Sequence, residues 1–283
     1  YLQVKELDDR TILSTNVLFG VQSVKMKEDG LTGMYYDYAL AAPVMAQSKA
    51  PRILILGNGS GTYATQCKLY FPDAVIEGVE IDERITDLAR EYFALPDGVS
   101  VTTYDGRAYL QAVDGQYDVI LVDAYQDITI PFQMSSVEFF TMVRDHLTPN
   151  GIMAVNMNMH SDGAGSINEA LCDTIASVFP QVATVDVPYT TNRELLACMD
   201  GDLTEKLNAG IEAVEAFDLR SMMFKVKDGL TDYAAGDHLL TDDKAPVEVL
   251  GMRAIDALIT SELSYYKGVF AEEGVSGILK LIE

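Results

Sequence analysis

The chain has 283 residues, 48% of them hydrophobic and 22% charged, and this composition excludes collagen-like, coiled-coil and broadly disordered proteins. The length allows one large α/β domain or two small ones. Because 43 Asp and Glu residues outweigh 20 Lys and Arg residues, the formal charge of −23 disfavours nucleic acid and anionic membrane surfaces as partners.

The rare residue types point to a reducing compartment and to no metal. The three cysteines lie far apart without a CxxC pair, and none of the three histidines has the spacing of a metal site. We therefore predict a cytoplasmic protein without a metal. No apolar run is long enough to span a membrane and no signal peptide opens the chain. The start at Tyr1, without a Met and already in strand-like sequence, is compatible with an excised or processed part of a longer protein.

The first segment predicts a small β-module with two or three short antiparallel strands. Its alternating runs are rich in β-branched residues and are separated by turn formers at Asp8-Asp9 and Ser14-Thr15-Asn16. A helical stretch rich in tyrosine follows and is interrupted by Pro43. The predicted division is a β-module with its linking helix over 1–48, a larger second domain over 49–263 and a tail over 264–283.

From Arg52 onward, short apolar runs alternate with amphipathic stretches. Strands that are apolar on both faces and separated by helices are typical of a parallel sheet covered on both sides. The sequence therefore predicts a doubly wound α/β fold. The predicted strands are 53–56, 75–79, 99–101, 117–122, 152–156, 182–187 and 195–199, and the predicted helices are 61–71, 83–93, 106–112, 135–147, 165–178, 202–217 and 246–262.

Ligands bind such sheets beyond the carboxyl ends of the strands, so the residues after each apolar run are informative. The first strand is followed by Gly57-Asn58-Gly59-Ser60-Gly61, whose glycines permit a tight turn and close approach of a ligand. A dinucleotide fingerprint requires a third glycine at position 62, which is Thr62 here. The spacing therefore disfavours NAD.

The next three strands each end in an acidic residue. Glu80, with Ile81 beside it, lies nineteen residues beyond Gly61, where a carboxylate binds both hydroxyls of a ribose. Asp105, before Gly106, could accept a hydrogen bond from an adenine amino group, cap the next helix, or do both. Asp123 ends a buried strand and is the best candidate for a general base. Together these residues predict a pocket for adenosine carried on a thioether or sulfonium.

With these residues, the sequence resembles the spermidine synthase (polyamine aminopropyltransferase) family. The Rossmann-like sheet of that family is that of class I S-adenosylmethionine-dependent methyltransferases. It looks closest to the spermidine synthase-like domains often fused to membrane segments. The resemblance implies a membrane domain upstream of Tyr1 and a homodimer. The stretches that carry it are Val21-Gln22-Ser23, Asp123-Ala124-Tyr125, Ile130-Pro131-Phe132 and Thr241-Asp242-Asp243-Lys244-Ala245-Pro246.

The resemblance also implies roles for single residues. Glu80 would bind the ribose, Asp105 and Gly106 the adenine, and Asp123 would take the proton of the attacking amine. Further residues would line the active site or hold the ammonium groups of the substrates: Gln22, Tyr35, Asp37, Asp127, Tyr189 and one of Asp242 or Asp243.

Two departures from the family pattern leave three functions open. Ser60 stands where synthases carry an Asp that pairs with the donor's ammonium, and Ala124-Tyr125-Gln126 replaces a Ser/Thr-rich segment. The leading hypothesis is transfer of an aminopropyl group from decarboxylated S-adenosylmethionine to a polyamine such as putrescine, which releases methylthioadenosine. The alternatives are a methyltransferase that uses S-adenosylmethionine and a non-catalytic nucleoside-binding module of a membrane-fused protein.

Overall fold

A computed structural model describes residues 2–15, 21–125, 130–158, 165–256, 259–260 and 267–269. The chain opens with three antiparallel strands in the order β1-β2-β3, which confirms the predicted β-module. Leu13, in the middle strand, is fully buried against Ile85 and Phe93. The three strands are β1 (Gln3–Glu6), β2 (Arg10–Ser14) and β3 (Ser23–Met26).

An eight-stranded sheet forms the centre of the molecule, with the strand order β11-β9-β10-β8-β7-β4-β5-β6. The five strands from β8 to β6 run parallel, whereas β10 pairs antiparallel with both β8 and β9. The predicted doubly wound sheet is thus confirmed. Its strands are β4 (Arg52–Leu56), β5 (Val75–Glu80), β6 (Val99–Thr103), β7 (Tyr117–Val122), β8 (Leu147–Met157), β9 (Gln181–Asp186), β10 (Arg193–Cys198) and β11 (Thr231–Asp232).

Helices cover both faces of this sheet. Alternate residues of each strand face opposite layers, so Ile53 and Ile55 join one buried cluster whereas Leu54 and Leu56 join the other. The helices are α1 (Tyr35–Ala39), α2 (Ala41–Ala46), α3 (Thr62–Tyr70), α4 (Glu83–Tyr92), α5 (Gly106–Ala112), α6 (Val137–Asp145), α7 (Ile167–Ala176), α8 (Leu203–Ala213) and α9 (Phe217–Gly229). Buried side chains of α1 to α3, α8 and α9 lie in the cluster of Ile53, and those of α5 to α7 lie in the cluster of Leu54.

The strand order reverses between β4 and β7. From β4 the chain moves outward through β5 to β6, and then returns to place β7 on the other side of β4. At such a switch point the loops after the two neighbouring strands diverge, which opens a crevice at their carboxyl ends. The glycine loop after β4 and Asp123 after β7 both lie at this crevice.

Some elements differ from the predicted ones. The predicted helix 135–147 is shorter in the structure, because strand β8 already begins at Leu147. The pairing of β8 with β7 is irregular after Leu147 and becomes regular at Ile152. The predicted helix 202–217 ends at Ala213, since the backbone of Val214 is extended, and α9 was not predicted. Residues 247–256 are helical, and most of the predicted tail lies outside the described residues. No helix within the described ranges is both long enough and apolar enough to cross a membrane.

Candidate active site

A cavity of about 740 Å³ lies at the carboxyl ends of the parallel strands. It has two parts, which we name by their residues. The glycine-loop half follows β4, β5 and β6 and contains Gly57, Gly59, Glu80, Ile81, Asp105 and Gly106. The Asp123 half follows β7, β8 and the start of β10 and contains Tyr35, Tyr63, Asp123, Tyr125, Asn156 and Asn192.

Gly57 allows the ends of β4 and β7 to meet. Its φ of 91° is in the left-handed region, and a Cβ atom built there would lie 2.4 Å from the carbonyl oxygen of Asp123. Two other loop residues were predicted to bind the ligand but do not line the cavity. The Ser60 hydroxyl is buried and hydrogen bonds the Thr62 hydroxyl at 2.9 Å, and Gly61 caps α3. The loop thus meets the cavity through Gly57 to Gly59.

Glu80 is fixed at the end of β5 by two backbone amides. Gly59 N donates to Oε2 at 2.9 Å and Asp82 N donates to Oε1 at 3.1 Å. Burial raises the pKa of this carboxyl above its ordinary value, and the two amide hydrogen bonds oppose that shift. Each carboxylate oxygen can accept a further hydrogen bond, so the geometry is compatible with a pair of ribose hydroxyls.

The rest of the wall of the glycine-loop half consists of apolar side chains and of Asp105, which caps a helix. Ile81 and Tyr104 line the cavity although 71% and 51% of their surfaces are exposed, which provides apolar area for a flat ring. Asp105 accepts a hydrogen bond from Ala108 N at 2.8 Å and thereby caps α5, as expected. Gly106 lies beside it, and a Cβ atom built there would lie 3.1 Å from the methyl carbon of Met134.

Asp123 occupies the centre of the other half. Tyr35 Oη donates to Oδ2 at 2.6 Å, and Asn156 Nδ2 donates to Oδ1 at 2.8 Å. Burial raises the pKa of Asp123 from 3.8 to about 7, although both hydrogen bonds lower it, and the negative charge of Glu80 adds to the increase. The side chain can therefore accept a proton near neutral pH.

Several polar residues around Asp123 were missed by the sequence analysis. The side-chain oxygen of Asn156 accepts a hydrogen bond from Asn192 Nδ2 at 2.8 Å, and its backbone carbonyl oxygen accepts one from Tyr125 Oη. Thr191 donates to Asn158 Oδ1 at 2.8 Å. Asn156 follows the apolar run of β8, so the rule that identified Asp123 applies to it as well. Asn192 precedes an antiparallel strand, where that rule gives no signal.

The β-module contributes one wall of the cavity. Tyr36 Oη donates to the carbonyl oxygen of Gln22 at 3.3 Å, and the rings of Tyr35 and Tyr36 are 4.0 Å apart between centroids. The side-chain oxygen of Gln22 is buried and has no hydrogen-bond partner among the described residues. Because Gln22 lines the cavity, this oxygen could accept a hydrogen bond from a ligand.

Three other predicted substrate ligands do not reach the cavity. The Asp37 carboxylate is buried and accepts hydrogen bonds from Thr32, Gly33 and Gln66, so it fixes the start of α1. Tyr189 is fully exposed and lies outside the lining. The carboxylate of Asp242 binds Arg107 through two hydrogen bonds of 2.7 and 2.6 Å, so its charge is already neutralised. We therefore do not propose these three as substrate ligands.

The remaining predictions concern Asp127 and metal ions. Asp127 lies outside the described residues. Within the described part of the chain, no group of three His, Cys, Asp or Glu side chains is arranged to hold a metal ion.

Comparison with protein families gives one match. The model of the spermine/spermidine synthase domain matches residues 34–197, which include the glycine loop, Glu80, Asp105 and Asp123. A curated relative from Bifidobacterium longum, named "Probable polyamine aminopropyl transferase", is 57% identical. The alignment covers the whole of this chain and 67% of that protein.

Solved structures share the fold at low sequence identity. A probable spermidine synthase from Corynebacterium glutamicum is similar with a TM-score of 0.64 and 20% identity, over 83% of this chain and 93% of the other. Human methyltransferase-like protein 13, solved in complex with SAH, is similar with a TM-score of 0.55 and 19% identity, over 74% and 98%. Both likenesses concern the fold, which is the Rossmann-like sheet predicted from the sequence.

Proposed function

The chain belongs to the spermine/spermidine synthase family, and from this we propose that it transfers an aminopropyl group from decarboxylated S-adenosylmethionine to a polyamine such as putrescine. The observation that carries the proposal is Asp123, a carboxyl at the switch point that titrates near neutral pH and has two fixed hydrogen-bond donors. Amine transfer needs such a base, because a free amine is mostly protonated at pH 7.

The glycine-loop half fits the adenosine of the donor. Glu80 would accept hydrogen bonds from the ribose hydroxyls, while Asp105 Oδ2 and the backbone near Gly106 would contact the adenine amino group and ring. Ile81 would cover one face of the ring. The sulfonium then lies towards Asp123, because Gly57 brings the two strand ends together.

The transfer step follows from this placement. The neutral amine nitrogen of the acceptor attacks the aminopropyl methylene that is bonded to sulfur, in line with the breaking bond. As the C–N bond forms, the C–S electron pair moves to sulfur and gives neutral methylthioadenosine. Asp123 takes one proton from the ammonium of the acceptor before this attack, and the product nitrogen is a secondary ammonium that keeps its other two protons. Tyr35 and Asn156 keep the carboxylate oriented by donating to its two oxygens.

Methyl transfer is the second candidate, and the position of Ser60 favours it. The Ser60 side chain faces Thr62, so the glycine loop presents no carboxylate to the ammonium of a decarboxylated donor. A donor that retains its own carboxylate does not need that partner. The same adenosine contacts would then bind S-adenosylmethionine.

The direct experiment is mass spectrometry of the products. The protein is incubated with either donor and with putrescine, cadaverine or spermidine. We expect amine-dependent methylthioadenosine and an elongated polyamine from the decarboxylated donor. Asp123→Asn should abolish turnover while it preserves binding of methylthioadenosine by calorimetry. Asp118→Asn is the matched control, because Asp118 lies on β7 at the opposite end and hydrogen bonds Arg52 N and Thr148.

Each other outcome selects a different function. S-adenosylhomocysteine formed from S-adenosylmethionine would establish methyl transfer. Nucleoside binding without any product would establish the non-catalytic module. Full activity of Asp123→Asn would refute the assignment of the base.

Location and assembly also remain proposals. The three cysteines are free and buried, which is typical of a protein from a reducing compartment such as the cytoplasm. A homodimer and a membrane domain upstream of Tyr1 rest on family likeness alone. Sedimentation equilibrium of the purified chain tests the dimer, which predicts twice the mass of 31.0 kDa.

A further inference from the structure

Glu194 is a buried carboxyl that the transfer step does not use. Its exposed fraction is 0%, and neither side-chain oxygen has a hydrogen-bond partner among the described residues. The adjacent Arg193 does not neutralise it, because that side chain binds Asp186 and projects from the opposite face of β10. A buried carboxyl without any partner is costly, so its presence requires an explanation.

Strand register places Glu194 in one row with the base. Glu194 lies opposite Asn156, and Val122 lies opposite Val155, so Asp123, Asn156 and Glu194 are consecutive across β7, β8 and β10. All three follow the parity of the buried residues that face α1 and α3. Because neighbouring strands are about 4.8 Å apart, the backbones of Asp123 and Glu194 are roughly 10 Å apart.

Glu194 is paired in the sheet with Asn156, a residue of the wall of the Asp123 half. The charge of Asp123 acts on Glu194, and the charge of Glu194 acts on Tyr63 and Tyr125. All three of these neighbours line the cavity. The hydrogen-bonded carboxamides of Asn156 and Asn192 form part of this wall. Asn156 stands between Asp123 and Glu194 in the row, and Asn192 precedes Glu194 by two residues.

We propose that Glu194 binds the distal ammonium of the acceptor, the nitrogen that does not react, once that ammonium displaces the Asn192 carboxamide from Asn156. This inference rests on the proposed aminopropyl transfer. The two nitrogens of an extended four-carbon diamine are about 6 Å apart by standard bond lengths, so one can approach Asp123 while the other approaches Glu194. The donor occupies the other half of the cavity, which assigns Glu194 to the acceptor.

Electrostatics gives the ammonium a defined effect on Glu194. Burial, with a further contribution from the charge of Asp123, raises the pKa of Glu194 well above its ordinary value. Both effects favour the neutral form of the side chain in the free protein. An adjacent ammonium stabilises the ionised form, so binding of a diamine should release a proton from Glu194.

Discrimination between acceptors is the first test. The ratio of kcat/KM for putrescine to that for 1-aminobutane, which lacks the distal nitrogen, is measured for the wild type, Glu194→Gln and Glu77→Gln. We expect a ratio of roughly tenfold or more in the wild type, since a hydrogen bond between charged groups contributes that much. Glu194→Gln should lower it to about threefold or less through a higher KM for putrescine, with the KM of the donor unchanged.

Glu77→Gln is the control for an acid-to-amide change in the same sheet. Glu77 lies on β5 away from the cavity and accepts hydrogen bonds from Tyr109 and Tyr117. This variant should retain the wild-type ratio. An unchanged ratio in Glu194→Gln, or an effect on the donor in place of the acceptor, would overturn the proposal. Glu194→Asp, which keeps a shorter carboxyl, should give an intermediate ratio.

Calorimetry separates this proposal from the proposed function. Putrescine is titrated into protein saturated with methylthioadenosine, in two buffers of different ionisation enthalpy at pH 7. The wild type should release more protons than Glu194→Gln, because only the wild type can ionise at this position. Proton release without turnover would support Glu194 although aminopropyl transfer fails. Turnover with equal proton release in the wild type and in Glu194→Gln would refute the role proposed for Glu194. An absence of putrescine binding would refute it as well.

Discussion

At Asp123, three neighbours act on the pKa in different directions. Burial and the charge of Glu80 disfavour the carboxylate, whereas the hydrogen bonds from Tyr35 and Asn156 stabilise it. The result, a pKa of about 7, is a balance that small changes can move. The roles of Tyr35 and Asn156 can therefore be measured as shifts in a pH profile as well as losses in rate.

We predict that kcat/KM for the amine rises with pH through about 7, as Asp123 loses its proton and becomes able to act as a base. Tyr35→Phe and Asn156→Ala each remove a hydrogen bond that stabilises the carboxylate, so each should move this limb to higher pH. Tyr109→Phe, which removes a hydroxyl that contacts Glu77 away from the cavity, is the control and should leave the limb in place. If kcat/KM of Tyr35→Phe rises over the same pH range as that of the wild type, the assignment of Asp123 as the base is wrong.

At the scale of elements, the join between the glycine loop and β7 constrains the backbone most severely. Asp123 N donates to the carbonyl oxygen of Leu56 at 2.9 Å, so the two strand ends are hydrogen bonded where Gly57 begins its turn. The glycine is required by this contact as well as by its positive φ. A substitution there should affect Asp123 directly.

We predict that Gly57→Ala destabilises the protein and lowers kcat. Its Cβ atom would lie 2.4 Å from Asp123 O, so the end of β7 must move, and the positive φ alone costs roughly 1–3 kcal/mol. Gly33→Ala is a matched control, because its φ of 75° carries the same kind of strain while nothing lies within 4 Å of its Cβ position. Denaturant unfolding measures both variants. Equal losses in the two would show that the contact with Asp123 contributes nothing.

Most of the parallel sheet could be predicted because each of its strands is a continuous apolar run bounded by turn residues. The same rule located Gly57, Glu80, Asp105 and Asp123, since the site follows the carboxyl ends of parallel strands. It failed at β10, whose antiparallel direction brings the start of the strand to the site, and Glu194 lay outside the predicted strand 195–199. The carboxylates of Asp37 and Asp242 are already hydrogen bonded to other side chains of the protein. Those hydrogen bonds depend on tertiary contacts, which the spacing of residues in the sequence does not reveal.

At the scale of the whole molecule, the charge of −23 and a cationic acceptor are complementary. A strongly acidic protein raises the local concentration of cations and increases their rate of association. The effect depends on the charge of the ligand and weakens as salt screens the field. A neutral or singly charged amine should therefore benefit less than a polyamine.

We predict that kcat/KM decreases with ionic strength in the order spermidine, putrescine and 1-aminobutane, with the steepest decrease for spermidine. These amines carry three, two and one positive charges near neutral pH, and the Debye length shortens from about 30 Å at 0.01 M to about 10 Å at 0.1 M. Steady-state kinetics in NaCl between these concentrations, at saturating donor, measures the slopes. Viscosity-matched sucrose is the control, because it slows diffusion without screening charge. Equal slopes for all three amines would show that the overall field does not guide the acceptor, and that the acidic surface serves solubility alone.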